Sequence, residues 1–132
     1  MNPPLTHADL ARFTGDLDRY RHPLARGVLY TPGVRYLAER GGAYWLLDEI
    51  ALAIAGGELA AAGRADPRVL DLHFWRLSFA EDRSAEVTAR ADTGVTPFVS
   101  RRIPWTDFPL DHADVWAGFD GRWWTLYLPS EH

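Results

Sequence analysis

GVRYLAERGGAYWLLDEIALAIAGG, residues 33–57, decides how this chain folds. Apolar residues recur at helical intervals on both sides of Gly41-Gly42, so the stretch reads as two helices rather than one. Thr31-Pro32 supplies the start, with Thr as N-cap and Pro in the first turn, where a missing N–H costs nothing. Val34, Leu37 and Ala38 then share one side, and the glycine pair stops the helix by offering a left-handed conformation. The second helix is expected from Ala43 to Ile54. Ala43, Leu46, Leu47, Ile50, Ala53 and Ile54 fall within a stripe about 120° wide, its core face. Trp45 and Leu52 lie nearly opposite, flanked by Asp48 and Glu49. Two readings follow. The helix is central and covered on both sides, or Trp45 and Leu52 mark an exposed apolar spot with acidic edges on which a partner docks.

On the N-terminal side, Thr6-His7-Ala8-Asp9 has the form of a capping box, and Leu10 and Phe13 follow at helical spacing, which predicts one short helix ending near Gly15. Asp16 to Tyr30 has no clear periodicity and reads as an ordered connector. Beyond the helices, Gly56 to Pro67 reads as a helix remnant followed by a loop, and then the period changes. Ala85, Val87, Ala89 and Ala91 alternate with Glu86, Thr88, Arg90 and Asp92, the pattern of a half-buried strand. Leu70 to Phe79 is also strand-like, but its alternation shifts between Phe74 and Trp75, which predicts a bulge or a strand buried on both faces. Glu81-Asp82-Arg83 joins these two strands. Pro97 and Pro104 bracket a third, Phe98 to Ile103. Asp120-Gly121, between VWAGF and RWWTLYL, is the clearest hairpin signal. The expected architecture is one α+β domain over residues 1–132: N-terminal helices packed on a C-terminal antiparallel meander of four to five strands.

Composition narrows the function. The chain has 132 residues, enough to bury a core of its own, and no cysteine, which excludes disulfides, thiolate metal sites and cysteine nucleophiles. The start shows no basic segment followed by an apolar run, and no apolar stretch reaches a membrane span, so a cytoplasmic location without membrane contact is expected. Net charge is −4 and all 14 basic residues are arginine, with Arg101-Arg102 the only basic doublet. A face that tracks phosphates needs clustered cations, so nucleic acid is disfavoured as a partner.

Catalytic motifs of the Gly-x-Ser-x-Gly, P-loop, His-Glu-x-x-His and Gly-x-Gly-x-x-Gly kinds do not occur. The five histidines are far apart in sequence and none has an i,i+4 partner, so neither a metal nor another cofactor is expected. Asp48 and Glu49 point about 100° apart on a helix and are expected to solvate its face. Asp107, Asp111 and Asp114, around Pro109 and His112, are expected to cap turns. The most chemically varied segment is Tyr20-Arg21-His22-Pro23, with Tyr30, Arg35 and Tyr36 close behind. These side chains can hold a carboxylate or phosphate, with His22 able to move a proton near neutral pH. The alternative is that the arginines pair with chain carboxylates while the tyrosines cap the core. Six tryptophans are many for this length, and Trp123-Trp124 must face opposite sides of one strand. Trp45 and Trp124 are the rings expected to meet a partner.

FTGDLDRYRHPLARGVLYTPGVRYLAERGGAYWLLDEIALA, WTDFPLD and LYLPSE, spanning Phe13 to Glu131, resemble DUF6876, a family of short bacterial and phage proteins without an assigned reaction. The resemblance carries over no catalytic role. The family's occurrence on phages and mobile elements implies an accessory role such as interference with host defence, in the manner of an anti-CRISPR inhibitor. The expectation is a non-enzymatic interaction protein with a protein partner, using the helix around Trp45 or the outer sheet face. The alternative is a small-molecule-binding or hydrolytic enzyme, with Arg21, His22, Tyr30 and Arg35 around an anionic substrate. A homodimer through an uncovered sheet face or edge strand is a third reading.

Overall fold

The computed structural model describes residues 4–15 and 18–132. Of the connector expected from Asp16 to Tyr30, Asp16 and Leu17 lie outside them, and the described remainder carries two short strands rather than irregular chain alone. Helix α1 (His7–Ala11) starts at the capping box read from the sequence: Asp9 N–H donates to Thr6 Oγ1 at 3.1 Å, and Thr6 N–H donates to the Asp9 carboxylate at 3.0 Å. It ends at Arg12, before Gly15. Strands β1 (Tyr20–Arg21) and β2 (Val28–Tyr30) follow. Next come helices α2 (Pro32–Gly41), α3 (Tyr44–Ala55) and α4 (Glu58–Ala65), then strands β3 (Leu72–Phe79), β4 (Ala85–Arg90), β5 (Val99–Ile103), β6 (His112–Phe119) and β7 (Trp124–Tyr127). One-turn 3₁₀ segments at Pro67–Leu70 and Pro129–Glu131 complete the described elements.

The class is α+β, but two parts of the expectation are corrected. Among the described residues the sheet has seven strands, in the order β1-β2-β7-β6-β3-β4-β5, and β2 pairs parallel with β7, so the sheet is mixed and not a meander. Two of its strands precede α2, so the helices are not all N-terminal. Strands of two and three residues are too short to carry a period-2 signal, and the pairing of β2 with β7 is set by tertiary packing. The Ala-rich stretch after Gly57 is a full helix, as the strong helix propensity of alanine allows.

The boundary between α2 and α3 follows the sequence closely. Thr31 Oγ1 accepts the N–H of Val34, and Gly42 adopts φ 62°, ψ 38°, the left-handed region where a β-carbon is penalised. Gly41 has a different task. A β-carbon there would lie 2.5 Å from Cε1 of Phe108, so the glycine lets the loop before β6 press a fully buried ring against α2.

Val34, Leu37 and Ala38 of α2 and Leu46, Leu47, Ile50 and Ala53 of α3 pack into one core with Trp75, Leu77, Val87, Val115 and Leu126 of the sheet. Each large aliphatic side chain fully withdrawn from water contributes roughly 1.5–3 kcal/mol before entropy is counted. The double-sided helix is explained in halves. Trp45 is half-buried and packs against this core, whereas Leu52 stays 53% exposed. β3 contains no bulge, for its pairing with β4 and with β6 runs unbroken. His73, Trp75, Leu77 and Phe79 turn inward, while Leu72, Phe74 and Arg76 turn outward, half-buried or exposed. The shifted pattern thus marks a strand with apolar side chains on both faces.

Candidate functional site

Asp48 and Glu49 are structural clamps. Asp48 accepts from Nε2 of His22, just past β1, at 2.8 Å. Glu49 accepts from Nε of Arg101, on β5, at 2.7 Å, and the same guanidinium also donates to Glu58 of α4. Adjacent carboxylates that diverge along α3 therefore reach opposite edges of the sheet. His22 is 2% exposed, and its Nδ1 accepts the backbone N–H groups of Leu24 and Ala25 at 3.2 and 3.0 Å.

The remaining expected anion-site residues are divided. Tyr20 stacks on its register partner Tyr30 with centroids 5.6 Å apart, and the Arg35 guanidinium lies 4.6 Å from the Tyr20 centroid. Arg35 also donates to Glu39 at 3.0 Å, which in turn accepts from the Tyr44 hydroxyl at 3.1 Å. Hydrogen bonding to Tyr20 and then Glu39 pushes the guanidinium further into its charged form; hydrogen bonds from Arg35 and Tyr44 hold the Glu39 carboxyl below the usual carboxylate range; and burial raises the Tyr44 phenol. Tyr36 packs on Phe13 instead, beneath Arg40. Arg21 sits on the other side of β1, its guanidinium 5.2 Å from the Trp123 ring. Tyr20, Tyr30 and Arg35 thus converge, while Arg21, His22 and Tyr36 belong elsewhere.

The outer sheet face, expected from the sequence as a docking surface, carries other rings than Trp124, which turns inward. Phe74 and Trp116 are register partners on β3 and β6, in edge-to-face contact at 5.0 Å and 83°. Trp116 meets Tyr127 of β7 at 6.1 Å and 78°, and Tyr127 stacks on His132 at 5.8 Å, with hydroxyl and Nδ1 3.0 Å apart. The row below is polar, where Arg76 forks onto Asp114 at 2.8 and 3.0 Å. Trp123 belongs to this side, held between Arg21 and Arg122, the latter 5.0 Å from its ring. Trp124 turns inward against His73, at 5.1 Å, and Phe119, at 5.2 Å. A cleft of about 410 Å³ opens beside the aromatic row, lined by Asp71, Asp120, Glu131, Arg19, Thr31 and Tyr127 among others. Glu131 Oε1 accepts from Thr31 Oγ1 at 2.7 Å and from the Leu128 N–H at 2.9 Å, while its Oε2 is buried without a protein partner among the described residues. Phe74, Trp116 and Tyr127 each alternate with buried residues, which puts all three on the opposite face.

A family model of unknown function, DUF6876, matches residues 4–132. The chain belongs to the DUF6876 family. The stretches that carry the resemblance meet in space: Phe108 of WTDFPLD rests on Gly41, and Glu131 of LYLPSE bonds Thr31 beside Gly33, where a β-carbon would lie 2.6 Å from its Oε1. No curated protein and no solved structure matches the chain.

Proposed function

We propose that this DUF6876 protein is a non-enzymatic interaction module that docks a protein partner on its outward sheet face. The observation that carries the reading is the interlocked row Phe74–Trp116–Tyr127, on the face opposite α2 and α3. Rings fixed by their neighbours lose little freedom on binding and offer large contact area, which is why Trp and Tyr concentrate at interfaces. The cleft beside the row is lined by the carboxylates of Asp71 and Asp120 and the guanidinium of Arg19, in a chain of net charge −4. That balance favours a partner carrying a basic segment and disfavours nucleic acid.

The helix around Trp45 suits docking less well, because Trp45 packs on the core and its acidic neighbours are engaged by His22 and Arg101. The edges also suit self-pairing poorly. β1 has two residues, and β5 carries Arg101 and Arg102 between two prolines. No helix among the described residues is long and apolar enough to cross a membrane. An accessory role in the cytoplasm, with a host-defence protein as the target, is the setting that the family resemblance adds to this reading.

The test is affinity capture from the organism that carries the gene, with Phe74→Ser and Trp116→Ser introduced together. A protein retained by wild type and by Leu52→Ala but lost from the double variant supports the proposal. Undiminished capture by a folded double variant overturns it, and a concentration-dependent dimer on sizing chromatography would replace it with self-association.

A further inference from the structure

His7 opens α1, while Asp111 immediately precedes β6 and His112 opens it, so His7 and Asp111 lie 104 positions apart in sequence. The fold nonetheless brings them together. His7 Nε2 lies 2.9 Å from Asp111 Oδ1, His112 Nδ1 lies 3.0 Å from that same oxygen, and the three atoms lie within 4.8 Å of one another. The rings stack at 4.6 Å and 29°, and each turns a nitrogen toward the shared Asp111 oxygen. Asp111 and Asp114 therefore do not cap turns as their setting predicts: Asp111 joins two imidazoles and Asp114 pairs with Arg76.

We propose that His7, Asp111 and His112 form a divalent transition-metal site, best suited to Zn2+. Two neutral imidazoles and one carboxylate are ligands that zinc accepts and that magnesium and calcium do not favour. Zinc bonds of about 2.0–2.1 Å place neighbouring ligand atoms about 3.0–3.4 Å apart, close to the two separations seen here. Binding needs little chemistry. Each imidazole presents the nitrogen now facing Asp111, its proton moves to the other ring nitrogen, and the metal replaces two hydrogen bonds. A cavity of about 160 Å³ adjoins the two histidines, leaving room for water in the remaining coordination positions. Because the ligands come from elements far apart in the chain, the bound ion would fasten α1 to the sheet, a bond that only the folded chain can make.

The probe is zinc chloride with the purified full-length chain, read by calorimetry and thermal melting. One equivalent is expected to bind, and a hundredfold excess over Kd to raise Tm by roughly 5–10 °C. Magnesium is expected to do neither. His7→Ala and Asp111→Asn, both at exposed positions, should fold normally and lose at least about tenfold in affinity, while His132→Ala should bind as wild type. Co2+ substituted for zinc should give a ligand-field spectrum that His112→Ala abolishes. No binding at millimolar zinc, or wild-type affinity in a His7→Ala, His112→Ala double variant, overturns the proposal.

Discussion

His22 donates its Nε2–H to Asp48 across 2.8 Å, and the backbone around the ring fixes that assignment. Two N–H groups, of Leu24 and Ala25, converge on Nδ1, which can accept them only as a bare lone pair. The proton must therefore sit on Nε2, facing the carboxylate. A ring so committed on both nitrogens holds a turn and ties β1 to α3; it does not offer a free lone pair to a substrate.

Removing the acceptor should expose that role. Asp48→Ala leaves a ring N–H with 2% side-chain exposure without its partner, which should cost about 1–3 kcal/mol. Asp48→Asn retains an oxygen at the same place and should cost clearly less. Urea unfolding at neutral pH measures both, and equal midpoints for wild type and Asp48→Ala would refute the clamp.

His73 predicts a pH dependence. Its ring is fully buried among Trp75, Phe98 and Trp124, with Nδ1 donating to the Val69 carbonyl at 3.0 Å. Burial pulls its pKa down from 6.5 to about 4. Above pH 6.5 the ring is neutral in both folded and unfolded chains, and stability does not depend on it. As pH falls from 6.5 to about 4, the unfolded chain takes up a proton that the folded chain refuses, so stability drops by about 3 kcal/mol and then levels off. The carboxyls held low by their partners, such as Asp66 and Asp82, lose stability only at more acid pH, so the windows separate. Denaturant midpoints from pH 7.5 to 4 should show the loss, and His73→Phe should flatten it.

What could be read in advance follows from how local each signal is. The caps at Thr6, Thr31 and Gly42 and the hairpin turn at Asp120-Gly121 are settled by neighbours within a few residues, and all stand in the structure. β1 and β2 exist because β7 offers an edge about 95 residues later, which no short window contains. The site divides in the same way. Tyr20, Tyr30 and Arg35 meet through a two-strand register and the start of the next helix, whereas His7 and Asp111 meet only through the whole fold. The outward aromatic row was hidden for another reason: Trp116 and Tyr127 are ordinary members of alternating strands until the partner strands show which face they share.

Close packing against α2 gives a third expectation. Gly41→Ala places a methyl 2.5 Å from Phe108 Cε1, and that fully buried ring also stacks at 5.8 Å on Phe79. Neither neighbour can yield without disturbing the core, so a loss of roughly 1–3 kcal/mol is expected despite alanine's better helix propensity. A gain in thermal stability would mean that Phe108 does not rest where the structure places it.

The two adjacent tryptophans offer the sharpest check on the sheet. Trp124 packs inward on His73 and the core, so Trp124→Ala should cost roughly 2–4 kcal/mol, somewhat reduced by its partial exposure. Trp123 lies on the outward face between two guanidiniums, so Trp123→Ala should cost less than about 1 kcal/mol. Strand side chains alternate with a period of two, and a one-residue slip of β7 would exchange the faces of both rings. Urea unfolding of the two variants therefore tests the register directly. If Trp123→Ala were the more damaging change, β7 would be slipped, Tyr127 would leave the outward row, and the proposed docking face would lose one of its three rings.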